Sequence, residues 1–322
     1  MKTPAFWSHK GMVSAALLPA SWLYRALSFL RLLTTQTYHS SVPVICVGNI
    51  TSGGTGKTPV TSWLAGELKE QGYQPVILSR GYGGSLKGPI MVDPASHGAA
   101  ACGDEPLLLA QTAPVMISAN RAKGARAIEQ MGRFDVIIMD DGMQNPQLHK
   151  HAIILVFDGV VGTQNGRIFP AGPLRQAFNP QKMKADFIII NGPDDTNLAS
   201  AFPEDQVMSA TLLPHPSHPK ISHKTPVFAF AGIGRPARFF ASLTEAGYQL
   251  AGTKAFGDHH PYQEAELQEL WQEAKGANLI TTQKDWVRLP AKWQKDIAYL
   301  PVSLHISETD SKRLVSGICQ KF

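Results

Sequence analysis

The stretch Val44-Ile-Cys-Val-Gly-Asn-Ile-Thr-Ser-Gly-Gly-Thr-Gly-Lys-Thr58 decides the fold of this chain. Its apolar start predicts a buried strand, its glycines predict a tight turn, and a helix-like segment follows from Pro59 to Gln71. Backbone amides of such a turn point at an anion, Lys57 can reach the β- and γ-phosphates, and Thr58 can hold Mg²⁺. The positive N-terminal end of the following helix adds to the same site. The stretch therefore predicts a phosphate-binding loop.

The residues of this loop are the candidate nucleotide-binding residues: Thr51, Ser52, Gly53, Gly54, Thr55, Gly56, Lys57 and Thr58. The strict pattern has glycine six residues before the lysine, where this chain has Thr51. We expect Gly53 and Gly54 to supply the same flexibility. An ordinary loop between a strand and a helix is the alternative, but the strand, loop and helix follow in the order that the motif demands.

Composition limits the class of protein. The chain has 322 residues, enough for two compact units or one large α/β domain. With 43% hydrophobic and 17% charged residues it can bury a core and does not have the composition of a disordered chain. The net charge of +5 suits an acidic partner such as a nucleotide, a phospholipid or a nucleic acid, without choosing between them. Three widely spaced cysteines give no disulfide framework, which favours a reducing compartment.

The N-terminal region contains an amphipathic segment from Ala20 to Leu33. Ser21, Arg25 and Ser28 recur at helical spacing opposite a broad apolar face. The segment is too short and too charged to span a bilayer. Aromatic residues combined with arginines are typical of a helix that lies in the headgroup region. A helix that packs its apolar face on the protein core is equally compatible with the sequence.

Apolar runs at 44–48, 75–79, 115–118, 134–139, 153–157 and 187–190 alternate with helical segments. Such continuous runs predict an α/β fold of the P-loop NTPase type, with a doubly wound, mainly parallel sheet. Composition shifts between Gly192 and Pro226, and a second, smaller α/β unit follows. We expect a membrane-associating segment at 1–33, a P-loop domain at 34–222 and a smaller C-terminal α/β domain at 223–322.

Three acidic clusters are candidates for chemistry. Asp140 and Asp141 end an apolar strand downstream of the loop, where an NTPase keeps the acidic group that organises Mg²⁺; a solvated turn is the alternative. Asp104 and Glu105 open a helix-like segment, and helix capping alone would explain them. In the second unit, Asp258-His259-His260 combines an acid with histidine, a pairing that can make a base for a hydroxyl proton, although loop histidines are often only surface residues.

Loop arginines are candidate anion ligands, because the guanidinium group offers phosphate a planar fork of donors. Arg80, Arg121 and Arg175 lie in such loops, although each alone would more often be a surface charge. The histidine pairs His149/His151 and His215/His218 lack the spacing of a metal site, and their segments are interpreted as surface loops. Gln283-Lys284-Asp285 lacks the residue that separates lysine from aspartate in a guanine-reading loop, which argues against a GTPase.

Taken in order, these motifs resemble the tetraacyldisaccharide 4′-kinases of lipid A biosynthesis. The matching blocks are Val47-Gly-Asn-Ile-Thr-Ser-Gly-Gly-Thr-Gly-Lys-Thr-Pro59, Leu78-Ser-Arg-Gly-Tyr-Gly83, Gly103-Asp-Glu-Pro106, Asp140-Asp-Gly-Met-Gln144, Pro170-Ala-Gly-Pro-Leu-Arg175, Phe256-Gly-Asp-His259 and Thr282-Gln-Lys-Asp285. The resemblance implies a Mg²⁺-dependent kinase that moves the γ-phosphoryl group of ATP to the 4′-hydroxyl of a tetraacylated disaccharide 1-phosphate and yields the 1,4′-bisphosphate lipid IVA. It also implies a peripheral location on the cytoplasmic face of the bacterial inner membrane.

The resemblance further implies roles for individual residues. Asp104 would be the catalytic base, oriented by His259, and Lys57 would bind phosphates. The metal environment would consist of Thr58, Asp140, Asp141 and Glu105, and Arg121, Gln144 and Arg175 would face substrate or phosphates. The implied partners are the acylated disaccharide lipid and an anionic membrane surface, with no nucleic acid and no obligate protein partner.

Two other functions compete with a lipid kinase. A membrane-associated P-loop ATPase could act as a regulatory switch, but such loops usually carry an extra lysine early, in the region where this chain has Ser52. A non-catalytic nucleotide-binding module could use the basic surface for nucleic acid. That function leaves the apolar N-terminal helix unexplained, so we rank it last.

Overall fold

The computed structural model describes residues 4–214 and 225–322. Its strands are β1 (Val44–Gly48), β2 (Pro75–Ser79), β3 (Ile90–Met91), β4 (Val115–Ile117), β5 (Val136–Asp140), β6 (Ala152–Asp158), β7 (Phe187–Asn191), β8 (Val207–Pro214), β9 (Val227–Ala231), β10 (Leu250–Ala255), β11 (Asn278–Thr282), β12 (Ala298–Leu300) and β13 (Val302–Ile306). Its α-helices are α1 (Met12–Ala16), α2 (Leu18–Thr34), α3 (Lys57–Glu70), α4 (Ala99–Cys102), α5 (Asp104–Leu109), α6 (Arg121–Met131), α7 (Pro236–Glu245), α8 (Glu264–Glu273), α9 (Gln283–Trp286) and α10 (Glu308–Cys319).

The larger sheet has nine strands in the order β13-β8-β7-β6-β1-β5-β2-β4-β3. The seven strands from β8 to β4 pair in parallel. The edge strands β3 and β13 pair antiparallel with their neighbours. The predicted fold class, an α/β protein with a mainly parallel sheet, is confirmed, and the phosphate-binding loop follows a strand in the interior of that sheet.

Helices cover both faces of this sheet, which is why its strands are continuous apolar runs. Alternate residues of β1 point to opposite faces. Ile45 and Val47 share an apolar cluster with Leu64 of α3. Cys46 shares the opposite cluster with Ile128 of α6. β1 is therefore buried on both sides, and its carboxyl end is held at a fixed place in the sheet.

The smaller unit has its own parallel sheet, with the strand order β10-β9-β11-β12. Phe239 and Leu243 of α7 pack on one face of this sheet. Leu267 and Leu270 of α8 belong to the cluster on the other face. Each helix offers apolar residues three or four positions apart, the spacing that places them on one side of a helix.

The C-terminal segment differs from the expected division of the chain. β13 pairs antiparallel with β8, so it belongs to the larger sheet and not to the smaller unit expected at 223–322. The α10 residues Leu314 and Ile318 lie in the same apolar cluster as α3. We did not predict β13 from the sequence, because its partly buried pattern is weak and does not say which sheet a strand joins. The expected boundary between residues 222 and 223 lies outside the described residues.

The N-terminal helix α2 exposes its apolar face. Ser21 is its one buried residue, and the Ser21 hydroxyl donates to the Ile168 carbonyl (2.8 Å) and accepts from the Ala171 amide (3.1 Å). Seven apolar residues each keep 55% to 66% of their surface exposed: Trp22, Leu23, Leu27, Phe29, Leu30, Leu32 and Leu33. The alternative of an apolar face packed on the core is therefore wrong. Across residues 4–214 and 225–322, no helix has the length and apolarity needed to cross a membrane.

Candidate active site

The phosphate-binding loop lies between β1 and α3, and its shape depends on Gly56. Gly56 has a φ of 90°, in the left-handed region that favours glycine. A Cβ atom at Gly56 would lie 2.4 Å from the Asn191 side-chain nitrogen, so a larger residue would collide with β7. Helix α3 begins at Lys57 with no side-chain cap, and its first amides therefore need another partner, such as a phosphate oxygen.

Two buried asparagines support the loop from beneath. The Asn49 side-chain amide donates to the Thr51 carbonyl (2.8 Å) and the Thr55 hydroxyl (3.2 Å). The Asn191 amide donates to the Thr55 carbonyl at 3.4 Å. The Ser52 amide donates to Pro173, which connects the loop to the segment before Arg175. We did not predict either asparagine; their signal was a polar residue directly at the carboxyl end of an apolar strand.

The paired acids lie beside the loop at the carboxyl end of β5. Asp140 is buried, whereas Asp141 has a φ of 48°, a strained value for a residue with a side chain. The Lys57 ammonium lies 3.8 Å from one Asp141 oxygen. Arg175 donates to both oxygens of Asp141, at 2.8 and 2.9 Å. The structure therefore brings together four of the predicted site residues.

The charges of this group suit a cation. Burial, with the neighbouring charges of Glu105 and Asp141, raises the pKa of Asp140 to about 7. Burial also opposes ionisation of Asp141, but Lys57 and then Arg175 outweigh it and lower its pKa. Within the described residues no cluster of three histidines, cysteines or acids could hold a metal by itself. Mg²⁺ typically takes one or two carboxylates and completes its shell with phosphates and water, so hard oxygen donors beside a phosphate loop fit this ion.

Asp104 connects the two units of the structure. Its side chain is 7% exposed. One carboxylate oxygen accepts from the backbone amide of Glu105 (3.0 Å), a contact within its own helix α5. The other oxygen lies 3.1 Å from the Nδ1 atom of His259, in the loop after β10. His259 has a left-handed backbone with a φ of 59°. Helix capping alone therefore does not account for Asp104, because its carboxylate also contacts a residue of the smaller unit.

Two basic residues complete this cluster, and we did not predict either of them as a site residue. The Lys284 ammonium lies 3.4 Å from Oε1 of Glu105 and 3.8 Å from Oδ2 of Asp104. The Arg288 Nε atom donates to Asp104 at 3.0 Å. Burial opposes ionisation of Asp104, but the hydrogen bond from His259 and the charges of Lys284 and Arg288 outweigh it and lower its pKa. Their position in the sequence could have indicated them, because Lys284 lies within the block Thr282-Gln-Lys-Asp285 and Arg288 lies just after it.

Arg121, Gln144 and Arg80 are the other predicted ligands. Arg121 is 3% exposed, donates to the Ser118 carbonyl (2.6 Å), and has its pKa lowered to about 10, chiefly by burial. The Gln144 amide donates to the Asn49 carbonyl (2.8 Å), so it supports the end of β1. Arg80 is exposed, and its charge contributes to the lowered pKa of Arg121. In this structure Arg121 and Gln144 are bonded to backbone, and Arg80 is open to solvent.

A groove separates helix α2 from the segment 168–177. Its volume is about 580 Å³, and its lining residues are Trp22, Arg25, Ala26, Ser28, Phe29, Ile168, Arg175, Gln176 and Ala177. Arg175 belongs to this groove and also contacts Asp141. Arg175 therefore connects the groove beside the exposed apolar helix to Asp141, which itself does not line the groove.

The interior strand with its phosphate loop, and the acids that end the neighbouring strand, define a P-loop nucleotide-binding protein. The family model described as tetraacyldisaccharide-1-P 4′-kinase matches residues 13–320. The chain belongs to this family, and the resemblance found in the sequence motifs is confirmed.

Similar proteins include tetraacyldisaccharide 4′-kinases from two bacteria. The protein from Methylobacterium nodulans is 47% identical over 98% of this chain and 94% of its own length. The one from Rhodospirillum rubrum is 41% identical over 96% of this chain and 95% of its own length. Among solved structures, LpxK from Aquifex aeolicus in complex with ATP is similar, with a TM-score of 0.80 and 26% identity over 97% of this chain and 100% of that one.

Proposed function

We propose that this protein is a kinase that transfers the γ-phosphoryl group of ATP to the 4′-hydroxyl of tetraacyldisaccharide 1-phosphate. Family membership supports the reaction, and ATP is the nucleotide named for the similar LpxK structure. One observation carries the proposal for this chain. Arg175 lines the groove beside the apolar helix and also contacts Asp141 next to the phosphate loop. A lipid held in the groove would place its polar end beside the nucleotide.

The residues of the loop would bind ATP. Lys57 and the first amides of α3 would neutralise the β- and γ-phosphates, and Arg175 would clamp the transferring group. Thr58, Asp140 and Asp141, with Glu105 near them, would hold Mg²⁺, which neutralises phosphate charge when bound. The crowding that raises the pKa of Asp140 supports this proposal, because a cation would relieve it.

Asp104 and His259 would handle the hydroxyl proton. Asp104 would accept it while His259, 3.1 Å away, orients the carboxylate. In a loose transition state for phosphoryl transfer the hydroxyl is activated mainly by positioning, so a carboxylate with a lowered pKa can serve. Because the two residues come from different units, the site is complete only when those units are in contact.

The exposed face of α2 would bind the membrane in which an acylated substrate resides. Aromatic and leucine side chains would enter the headgroup region, and the exposed Arg25 and Arg31 would face anionic lipid. The protein would then act as a peripheral protein on the cytoplasmic face of the bacterial inner membrane.

The direct test is transfer of label from γ-labelled ATP to tetraacyldisaccharide 1-phosphate in detergent with Mg²⁺. Lys57→Ala is the control, since it removes the phosphate-binding cation. We expect labelled lipid with the native chain and none with the variant. ATP hydrolysis without labelled lipid, together with nucleotide-dependent dimerisation, would contradict the proposal and favour a switch ATPase.

A further inference from the structure

Arg288 is anchored within the smaller unit. It follows helix α9, and its side chain is only 6% exposed. Its Nη1 atom donates to Asp285 (2.9 Å) and to the Gly232 carbonyl (3.1 Å). Asp285 is fully buried and also accepts from the Gly232 amide (3.1 Å) and the Thr282 hydroxyl (2.6 Å). These contacts fix one side of the guanidinium group in place.

The other side of the same guanidinium group faces the larger unit. Its Nε atom donates to Oδ2 of Asp104 at 3.0 Å, and its Nη2 atom donates to the same oxygen. The His259 Nδ1 atom lies 3.1 Å from that oxygen, while the amide of Glu105 holds Oδ1. Both oxygens of Asp104 therefore have fixed partners, and one of those partners is anchored in the opposite unit.

We propose that Arg288 is a positioning residue for phosphoryl transfer, which docks the smaller unit on Asp104 and fixes the orientation of that carboxylate beside His259. The inference rests on the proposed function, in which Asp104 and His259 serve the acceptor hydroxyl. Arg288 acts through Asp104 and does not need to touch the substrate. An error of about 1 Å in such a group can cost roughly 10²-fold in rate, so its orientation matters for turnover.

The geometry requires arginine at this position. Lys284 also lies near Asp104, but at 3.8 Å and as a single ammonium group. Arginine presents several donors in one rigid plane, so it can bond Asp285, Gly232 and Asp104 at once. A lysine at position 288 keeps the charge but cannot make all of these bonds. We therefore expect Arg288→Lys to be more active than Arg288→Met but less active than the native chain.

A second ion pair between the two units provides a matched control. Arg235, just before α7, pairs with Asp158 at the end of β6. The Arg235 side chain is 46% exposed and that of Asp158 is 5% exposed, so this pair joins the two units through a cation that is far less buried than Arg288. If Arg288 served only to hold the units together, Arg235→Met and Arg288→Met would lower activity to a similar extent.

The experiment measures labelled lipid as a function of ATP concentration for Arg288→Met, Arg288→Lys and Arg235→Met. We expect kcat to fall roughly 10²-fold in Arg288→Met with the KM for ATP within about twofold of native, because an interaction for chemistry is lost. Arg288→Lys should be intermediate, and Arg235→Met should stay within about threefold of native. Native-like kcat in Arg288→Met, or an equal loss in Arg235→Met, would overturn the inference.

A double variant separates folding from positioning. Arg288→Met leaves the buried Asp285 without its cation, which can destabilise the smaller unit. The double variant Asp285→Asn with Arg288→Met removes both charges together, and we expect its kcat to stay low. Recovery of native kcat in the double variant would mean that the loss came from unfolding. Asp104→Ala in the same assay tests the proposed function itself, because full activity of this variant would remove Asp104 as the base. An inactive Asp104→Ala together with a fully active Arg288→Met would refute only the role of Arg288.

Discussion

The exposed apolar stripe on α2 allows a quantitative test of membrane binding. Leu23, Leu27 and Leu30 lie one helical turn apart, and 55% to 62% of each residue is exposed. Full burial of a leucine side chain is worth about 1.5–3 kcal/mol, so the exposed part of each is worth about 1 kcal/mol. Replacing all three by alanine should cost about 3 kcal/mol of membrane binding. That corresponds to roughly a 10²-fold weaker partition constant.

The assay is co-sedimentation with vesicles of phosphatidylethanolamine and phosphatidylglycerol. Trp271→Ala is the control, because Trp271 is also 51% exposed but lies on α8. We expect unchanged partitioning for this control. Thermal unfolding of the triple variant should be close to native, since exposed side chains contribute little to the folded state. Native-like partitioning of the triple variant would refute the proposal that this face enters the membrane.

Three further predictions concern activity and stability. Asp104→Asn and His259→Asn should each lower kcat by roughly 10²- to 10⁴-fold. The double variant should be little less active than the less active single variant, because both residues serve one proton. Additive losses in labelled-lipid kinetics would contradict this. Leu64→Ala should lower the free energy of unfolding in urea by about 2–5 kcal/mol, since Leu64 of α3 is fully buried against the larger sheet. A smaller loss would mean that neighbouring side chains move in to fill the cavity. Partial desolvation, together with the nearby charges of His39 and Lys150, lowers the pKa of His149 from 6.5. The unfolded chain therefore binds more protons as the pH falls below 6.5, so the free energy of unfolding should drop over that range and drop less in His149→Gln; equal pH dependence of the urea midpoint in both chains would contradict the linkage.

Much of the fold could be predicted from local patterns. Six apolar runs predicted strands of the larger sheet, and the loop motif located the nucleotide site. The predicted run at 75–79 agrees with β2 in its bounds. The strands β3, β8 and β13 of the larger sheet were missed, since a short or half-buried strand gives a weak pattern. The two asparagines under the loop were missed because a polar residue at the end of an apolar strand does not by itself indicate whether it supports backbone or binds a ligand.

The sequence by itself determined the phosphate-binding loop, the parallel sheet, the family and the pairing of acids with that loop. These properties depend on residue types at short spacing, which the order of the chain shows directly. Only the tertiary structure decided that Asp104 meets His259 and Arg288, that α2 turns Ser21 inward and its leucines outward, and that β13 joins the larger sheet. Asp104 and Arg288 are 184 residues apart in the chain. Such contacts depend on how two units pack against each other, and no local pattern carries that information.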